Sequence, residues 1–204
     1  MPRLSAPLPS SASPPATPPS LAVQLLAGLR GAFLLARGRA EGIAFACLSP
    51  EGPARSFWAA AFCLPAFLLL RLVSGAAGEV GTDPPRFLVA ELSGFVCSWA
   101  GYALASYWLA ARAGLLARWP RFIAAWNWAN TVQYAMLLVL LPVPPGVVAT
   151  WLGIAAFGYA MWLEWFVARE ALGVNGFQAA TFVALDLAIS IFLAGAVQAV
   201  AMVD

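Results

Sequence analysis

Asp186 is the residue best placed to do chemistry in this chain, because it stands alone in an otherwise apolar run, "TFVALDLAISIFLAG", with Ser190 one helical turn further on. A second run, "WNWANTVQY", carries Asn127, Asn130, Thr131 and Tyr134 at i, i+3, i+4 and i+7, the spacing of one helical face. Counted from the ends of their runs, Asn130 and Asp186 lie at similar depth. The stripe can therefore hydrogen-bond the acid or shelter it in its neutral form. Two roles follow from that placement. One is interhelical polar glue, worth about 0.6 to 2 kcal/mol per hydrogen bond in a membrane. The other is a proton or ion-coupling site, a common use of intramembrane acids. Spacing alone favours glue and leaves both open.

Arg71 and Glu91 form a second constellation. Arg71 comes fourteen residues after Phe57, a rise of roughly 21 Å along a helix, and Glu91 lies near the start of the next apolar run. A structural ion pair between antiparallel neighbours is expected, because a charge in hydrocarbon needs a partner or a route to the interface. Glu164, in "MWLEWFVARE", is flanked by Trp162 and Trp165 with Arg169 beyond, and is expected to be an interfacial acid among aromatic anchors.

Other chemistry is scarce. The chain has no histidine, which removes Ser/His nucleophilic catalysis and His-based metal sites. Its three cysteines, Cys47, Cys63 and Cys97, have no CxxC spacing and are expected to be small core residues. No enzyme, metal site or cofactor is expected. The eleven arginines are dispersed and the net charge is +2, so no basic patch for nucleic acid forms.

The elements that must position these residues are membrane helices. Of 204 residues 62% are hydrophobic and 10% charged, and the mean hydropathy is +0.82. Several windows of about 20 apolar residues are long enough to cross a hydrocarbon core. An all-α, polytopic bundle of five spans is predicted within residues 57–201, at about 57–77, 87–110, 122–142, 147–167 and 177–201. Asn175 and Gln178 form a capping-box pattern ahead of the last. Residues 1–19 are rich in proline and serine, and are expected to be a disordered tail that stays on the chain. Residues 20–46 are expected to form an amphipathic helix capped by Ser20, with Leu25, Leu29 and Phe33 at helical spacing. It can anchor on an anionic leaflet or pack on the bundle.

Arginine placement predicts a cytoplasmic N-terminus and, after five crossings, Asp204 outside. Arg3, Arg30, Arg37, Arg39 and Arg55 precede the first span, while Arg112, Arg118 and Arg121 fill the second connection. Arginine in place of lysine, with plentiful alanine and proline, points to a GC-rich bacterial genome and hence to an inner membrane. Ala90, Gly94 and Ser98 repeat every four residues and continue through Gly101 and Ala105 as a helix-packing strip. Pro65 is expected to kink the first span.

At the entrance to the first span stands "LSPEGPARSFWAA", with Gly52, Pro53, Phe57 and Trp58. Together with five spans and a long leading N-terminus, these residues resemble the Yip family of small integral membrane proteins. Three residues here separate the Gly-Pro and Phe-Trp pairs, and Glu51 is the nearby acid. The resemblance covers roughly residues 45–204 and implies a non-enzymatic helical bundle. The leading expectation is a scaffold or interaction protein whose partners are the lipid bilayer, other membrane proteins or a second copy of itself. The alternative is a small transporter or proton-coupled permease using Asp186 and the polar face around Asn130. The two differ in whether that face lines a wet cavity or packs dry.

Overall fold

The structure, a computed structural model, describes residues 20–48, 51–74 and 84–201. The proline-rich tail, the link between the first two expected spans and the terminal Asp204 lie outside the described residues, as do the expectations attached to them. Among the described residues every regular element is helical.

Three short helices lead. Helix α1 covers Leu21–Ala36, and the Ser20 hydroxyl accepts a bond from the Val23 amide at 3.4 Å. The chain turns at Gly38, whose φ of +70° suits glycine, and continues into α2 (Gly42–Ala46) and α3 (Gly52–Ser56). At the first turn Arg39 donates to both oxygens of Glu41, at 3.0 and 2.8 Å, with both side chains exposed. That hydrogen bond, with the nearby positive charge, holds the Glu41 carboxyl below its ordinary range. The turn is therefore suited to water rather than hydrocarbon.

The five long helices are α4 (Trp58–Ser74), α5 (Pro84–Arg112), α6 (Trp119–Leu140), α7 (Val147–Leu172) and α8 (Gly176–Ala201). Four segments are long and apolar enough to cross a membrane: Gly52–Val73, Pro85–Arg112, Val147–Leu172 and Gly176–Ala199. Helix α6 has 22 residues, about 33 Å of rise, yet is too polar to join them. The expectation of five similar spans thus becomes four apolar helices and a more polar fifth. The physical reason lies in its surroundings: every residue from Phe122 to Ala129 is buried, because α1, α2 and α3 collar that half while α4 and α7 flank the helix. Protein surrounds that half, whereas Leu137 and Val139 of the second half are exposed.

The collar packs through small residues. Gln24, Gly28, Gly31, Ala32 and Leu35 are the buried face of α1, whereas Leu29 and Phe33 of the expected apolar face are exposed. A Cβ on Gly28 would lie 2.1 Å from the Trp128 indole, and one on Gly31 would lie 2.7 Å from the Gly42 carbonyl oxygen. The glycines that weaken α1 as a free helix are what let it approach α6 and α2 so closely.

At the C-terminal end of α7, arginines close the last turn. Arg118 donates to the Leu172 carbonyl at 2.7 Å and Arg121 Nε to the Ala171 carbonyl at 3.0 Å. These carbonyls have no partner within their own helix, and cations there also suit its dipole. Gly173 then reverses the chain at φ +62°. The capping box forms as its pattern predicts: Asn175 Oδ1 accepts from the Gln178 amide at 2.9 Å, and Gln178 Oε1 accepts from the Asn175 amide at 3.4 Å. Helix α5 meets α8 through the small-residue strip, where a Cβ on Gly94 would sit 2.6 Å from Val197. The α5 and α6 backbones stand apart and meet through large side chains, among them Trp99 on Trp126 and Tyr102 on Phe122, and a gap remains between α5, α6, α7 and α8.

Gly28→Leu drives a side chain into the Trp128 ring and is expected to destabilise the fold by about 1–3 kcal/mol, the usual cost of overpacking. Thermal melting in detergent, with hydrogen exchange over residues 21–36, checks this; unchanged melting and unchanged protection would refute the packing of α1 on α6.

Candidate functional site

The gap holds a cavity of about 530 Å³, within the range of small-molecule sites. Helix α6 contributes Trp126, Asn130, Gln133 and Tyr134; α7 contributes Gly153, Ala156, Ala160 and Glu164; α8 contributes Asp186 and Ser190. Trp99 and Ser98 of α5 and Arg71 of α4 complete the wall. A second cavity of about 210 Å³ shares Arg71, Ser98, Tyr134 and Ser190 with the first and extends to Glu91 and Gln198. The two are neighbours across the same side chains.

At the inner end two acids face each other. Glu164 is only 5% exposed. Its Oε1 accepts a hydrogen bond from Gln133 Nε2 at 3.0 Å, whereas Oε2 is buried with no partner other than the Asp186 carboxyl. Asp186 lies within interaction range of Glu164 and beside the indole of Trp126. The Trp126 N–H, also buried, closes no hydrogen bond of good geometry. Two carboxylates this close are stable together only if they share a proton or hold a cation, because both charges cannot be buried unpaired. The floor of the cavity is thus chemically incomplete.

The polar stripe expected on α6 divides between two environments. Asn130 and Tyr134 line the cavity with Asp186 and Ser190. Asn127, fully buried, turns away and donates to the Ser56 hydroxyl at 2.7 Å, which itself donates to the Pro53 carbonyl at 2.6 Å. Thr131 donates to the Trp128 carbonyl of its own helix at 2.6 Å. The functional face is therefore Trp126, Asn130, Gln133, Tyr134 and Leu137, rotated from the predicted stripe. Asn130 also donates back to the Trp126 carbonyl at 3.0 Å.

Glu164 departs most from expectation. It is no interfacial acid; it is buried opposite Asp186, since α7 turns Trp162 outward and this position inward. A usable signal was present: Gly153, Ala156 and Ala160 precede Glu164 at helical spacing, a strip of small residues ending in an acid. A Cβ on Gly153 would meet nothing within 4 Å. Small side chains make the room and the acid furnishes it.

At the other end Arg71 Nε and Glu91 Oε2 are 2.9 Å apart, with side-chain exposures of 44% and 10%. This pair is complete where the inner one is not. The Arg71 guanidinium also lies over the Phe67 ring, 5.4 Å from its centroid, a cation–π contact.

Because Glu91 is the more buried partner, Arg71→Met should cost more than Glu91→Gln, about 1–3 kcal/mol, between the values for exposed and buried pairs. The double variant should recover part of that loss, as a double-mutant cycle of thermal or denaturant stability in detergent would show. Additive losses would mean that the pair does not couple the helices. No known protein family, curated protein or solved structure matches this chain, so its function rests on the chemistry of the cavity itself.

Proposed function

We propose that the protein is a small-solute permease of a bacterial inner membrane, coupling solute movement to a proton through Glu164 and Asp186. The observation that carries this reading is the cavity of about 530 Å³ on whose floor two acids, Glu164 and Asp186, lie against each other. A scaffold, the role that composition alone favours, has no use for such a space and would pack the face of Asn130 and Tyr134 dry. The proposal includes α6 as a fifth crossing, with its buried first half shielded from lipid by its neighbours.

Orientation follows from charge. Arg112, Arg118, Arg121 and Arg169 gather about the α5–α6 and α7–α8 turns, and the positive-inside rule places that end in the cytoplasm. The Arg71 and Glu91 end then faces outward, and the smaller cavity is the vestibule. Solute passes this ion pair before reaching the acids. A proton shared by the acids leaves as substrate binds and returns as it departs, which keeps the buried charge balanced.

Access is testable by labelling. In a background with Cys47, Cys63 and Cys97 replaced by alanine, Ala156→Cys should react with a charged, membrane-impermeant thiol reagent added outside. Ile154→Cys, 55% exposed on the same helix and lipid-facing in this reading, should not. Equal inertness of both would leave the cavity dry and overturn the permease reading.

Asp186→Asn and Glu164→Gln should melt at or above the wild-type temperature, since each removes a poorly satisfied buried acid, and stability gained at a functional site commonly costs activity. Both should abolish proton movement coupled to solute in proteoliposomes carrying a pH-sensitive dye. Wild-type coupling in either variant would remove the acids from the mechanism.

A further inference from the structure

We infer that the substrate is an organic ammonium ion, whose charge sits between Glu164 and Asp186 and whose body lies against the aromatic wall of Trp99, Trp126 and Phe157. This rests on the permease reading and names its substrate class.

The charge of the site selects a cation. Among the described residues lining the large cavity, the cationic one is Arg71, and it stands at the far end, 2.9 Å from Glu91. Nothing cationic among them serves the two acids at the floor. An anion would meet carboxylates there, and an uncharged apolar solute would leave them unpaired in a low-dielectric site. An ammonium group donates up to three hydrogen bonds. Once the proton between the two acids has left, Glu164 Oε2 and the Asp186 carboxylate are the matching acceptors, while Gln133 holds the other Glu164 oxygen at 3.0 Å.

The walls select an organic body. A bare metal ion needs about six oxygen ligands at close range, and a floor of two carboxylates and one amide backed by indole rings does not supply them. The space, about 530 Å³, is also far larger than an ion needs. Trp99 and Trp126 meet edge to face with ring centroids 5.4 Å apart, and such surfaces attract a cation's charge and cover its carbon skeleton. Trp126 is 4% exposed, and its indole also lies against Asp186, so the aromatic wall and the acid meet at one place.

Charge balances in the exchange: the ammonium brings one positive charge as the proton shared by the acids leaves, and no covalent bond is made or broken in the substrate.

The experiment titrates full-length protein in phospholipid nanodiscs with butylammonium and benzylammonium, using empty nanodiscs as the blank and calorimetry as the readout. Benzyl alcohol and phenylacetate are the neutral and anionic counterparts. Saturable binding of the ammonium ions is expected, at least tenfold weaker in Glu164→Gln and in Asp186→Asn. Gly153→Leu, which fills the cavity without touching an acid, should weaken it similarly. Circular dichroism and melting establish that each variant is folded.

Equal affinity for benzyl alcohol or phenylacetate would overturn the inference. So would full affinity in folded acid variants, or displacement by Na⁺ or Mg²⁺ at the concentration of the amine. Failure of both ammonium probes to bind a protein whose Ala156→Cys variant is labelled would sink the cation assignment and spare the permease reading. Failure of labelling would sink the permease reading itself.

Discussion

A helix that carries Asn127, Asn130, Thr131 and Gln133 along its length is costly to leave in hydrocarbon, because each polar group there loses its water and must find a partner in protein. The rest of this architecture follows from that constraint on α6. Its first half is enclosed by α1, α2 and α3, whose backbones come close because Gly28, Gly31 and Gly42 have no side chain to hold them off. The Asn127 amide nitrogen donates to Ser56, at the junction of α3 and α4, while its buried Oδ1 closes no hydrogen bond. The collar and the polar axis therefore depend on each other: without the collar Asn127 is stranded, and without Trp128 the glycine face of α1 has nothing to cover. The apolar residues that α1 leaves outside, Leu26 and Phe33 among them, suit a lipid boundary.

The second half of α6 is treated differently. There Asn130, Gln133 and Tyr134 line the cavity, Gln133 reaching across to Glu164 at 3.0 Å. The contrast between the two ion-bearing ends of that space is informative. Arg71 and Glu91 neutralise each other and, with the Phe67 and Phe95 rings 4.8 Å apart, tie α4 to α5. Glu164 and Asp186 hold together across α7 and α8 only with a proton or a cation between them. A fold that needed only rigidity would be better served by apolar residues at both positions, which is why the proposed function is placed on this pair.

Much of this was legible in the sequence. The helical class followed from composition, and the long helices lie close to the segments marked by apolar length and flanking arginine, proline and glycine. The capping box at Asn175 and Gln178 and the pairing of Arg71 with Glu91 were readable because each depends on local spacing or on depth along one helix. What was not legible depends on rotation about the helix axis. The i, i+3, i+4, i+7 pattern of Asn127, Asn130, Thr131 and Tyr134 fixes a stripe but not its neighbours, and a collar on one side captured Asn127 while the cavity took Gln133. Glu164 was misplaced for the same reason: tryptophans beside it in sequence mark an interface by composition, but alternate residues on a helix point to different sides. That the leading helix packs on the bundle was one of the two readings its pattern left open, and the structure takes it; which face it uses was not legible, since glycine in α1 signals a weak helix when it is considered alone and a close contact only when Trp128 is known to oppose it.

The position of the acids within the bundle also bears on how charge can move. Glu164 is joined to α6 through Gln133, and Asp186 lies beside Trp126, so α6, α7 and α8 all meet at the point where the proton or cation must sit. Placing or removing one positive charge there changes the repulsion between α7 and α8 directly, because their acids oppose each other across the floor. The α7–α8 turn is clamped on its α7 side by Arg118 and Arg121, which hold the Leu172 and Ala171 carbonyls. No comparable polar clamp joins the other ends of these helices among the described residues. Those arginines tie α7 to the start of α6, and the Trp165 indole, donating to the Gly176 carbonyl at 2.9 Å, ties α7 to the start of α8. In the permease reading, repulsion between the acids is therefore resisted at the arginine-rich end and opens the bundle toward Arg71, the end through which the solute would leave.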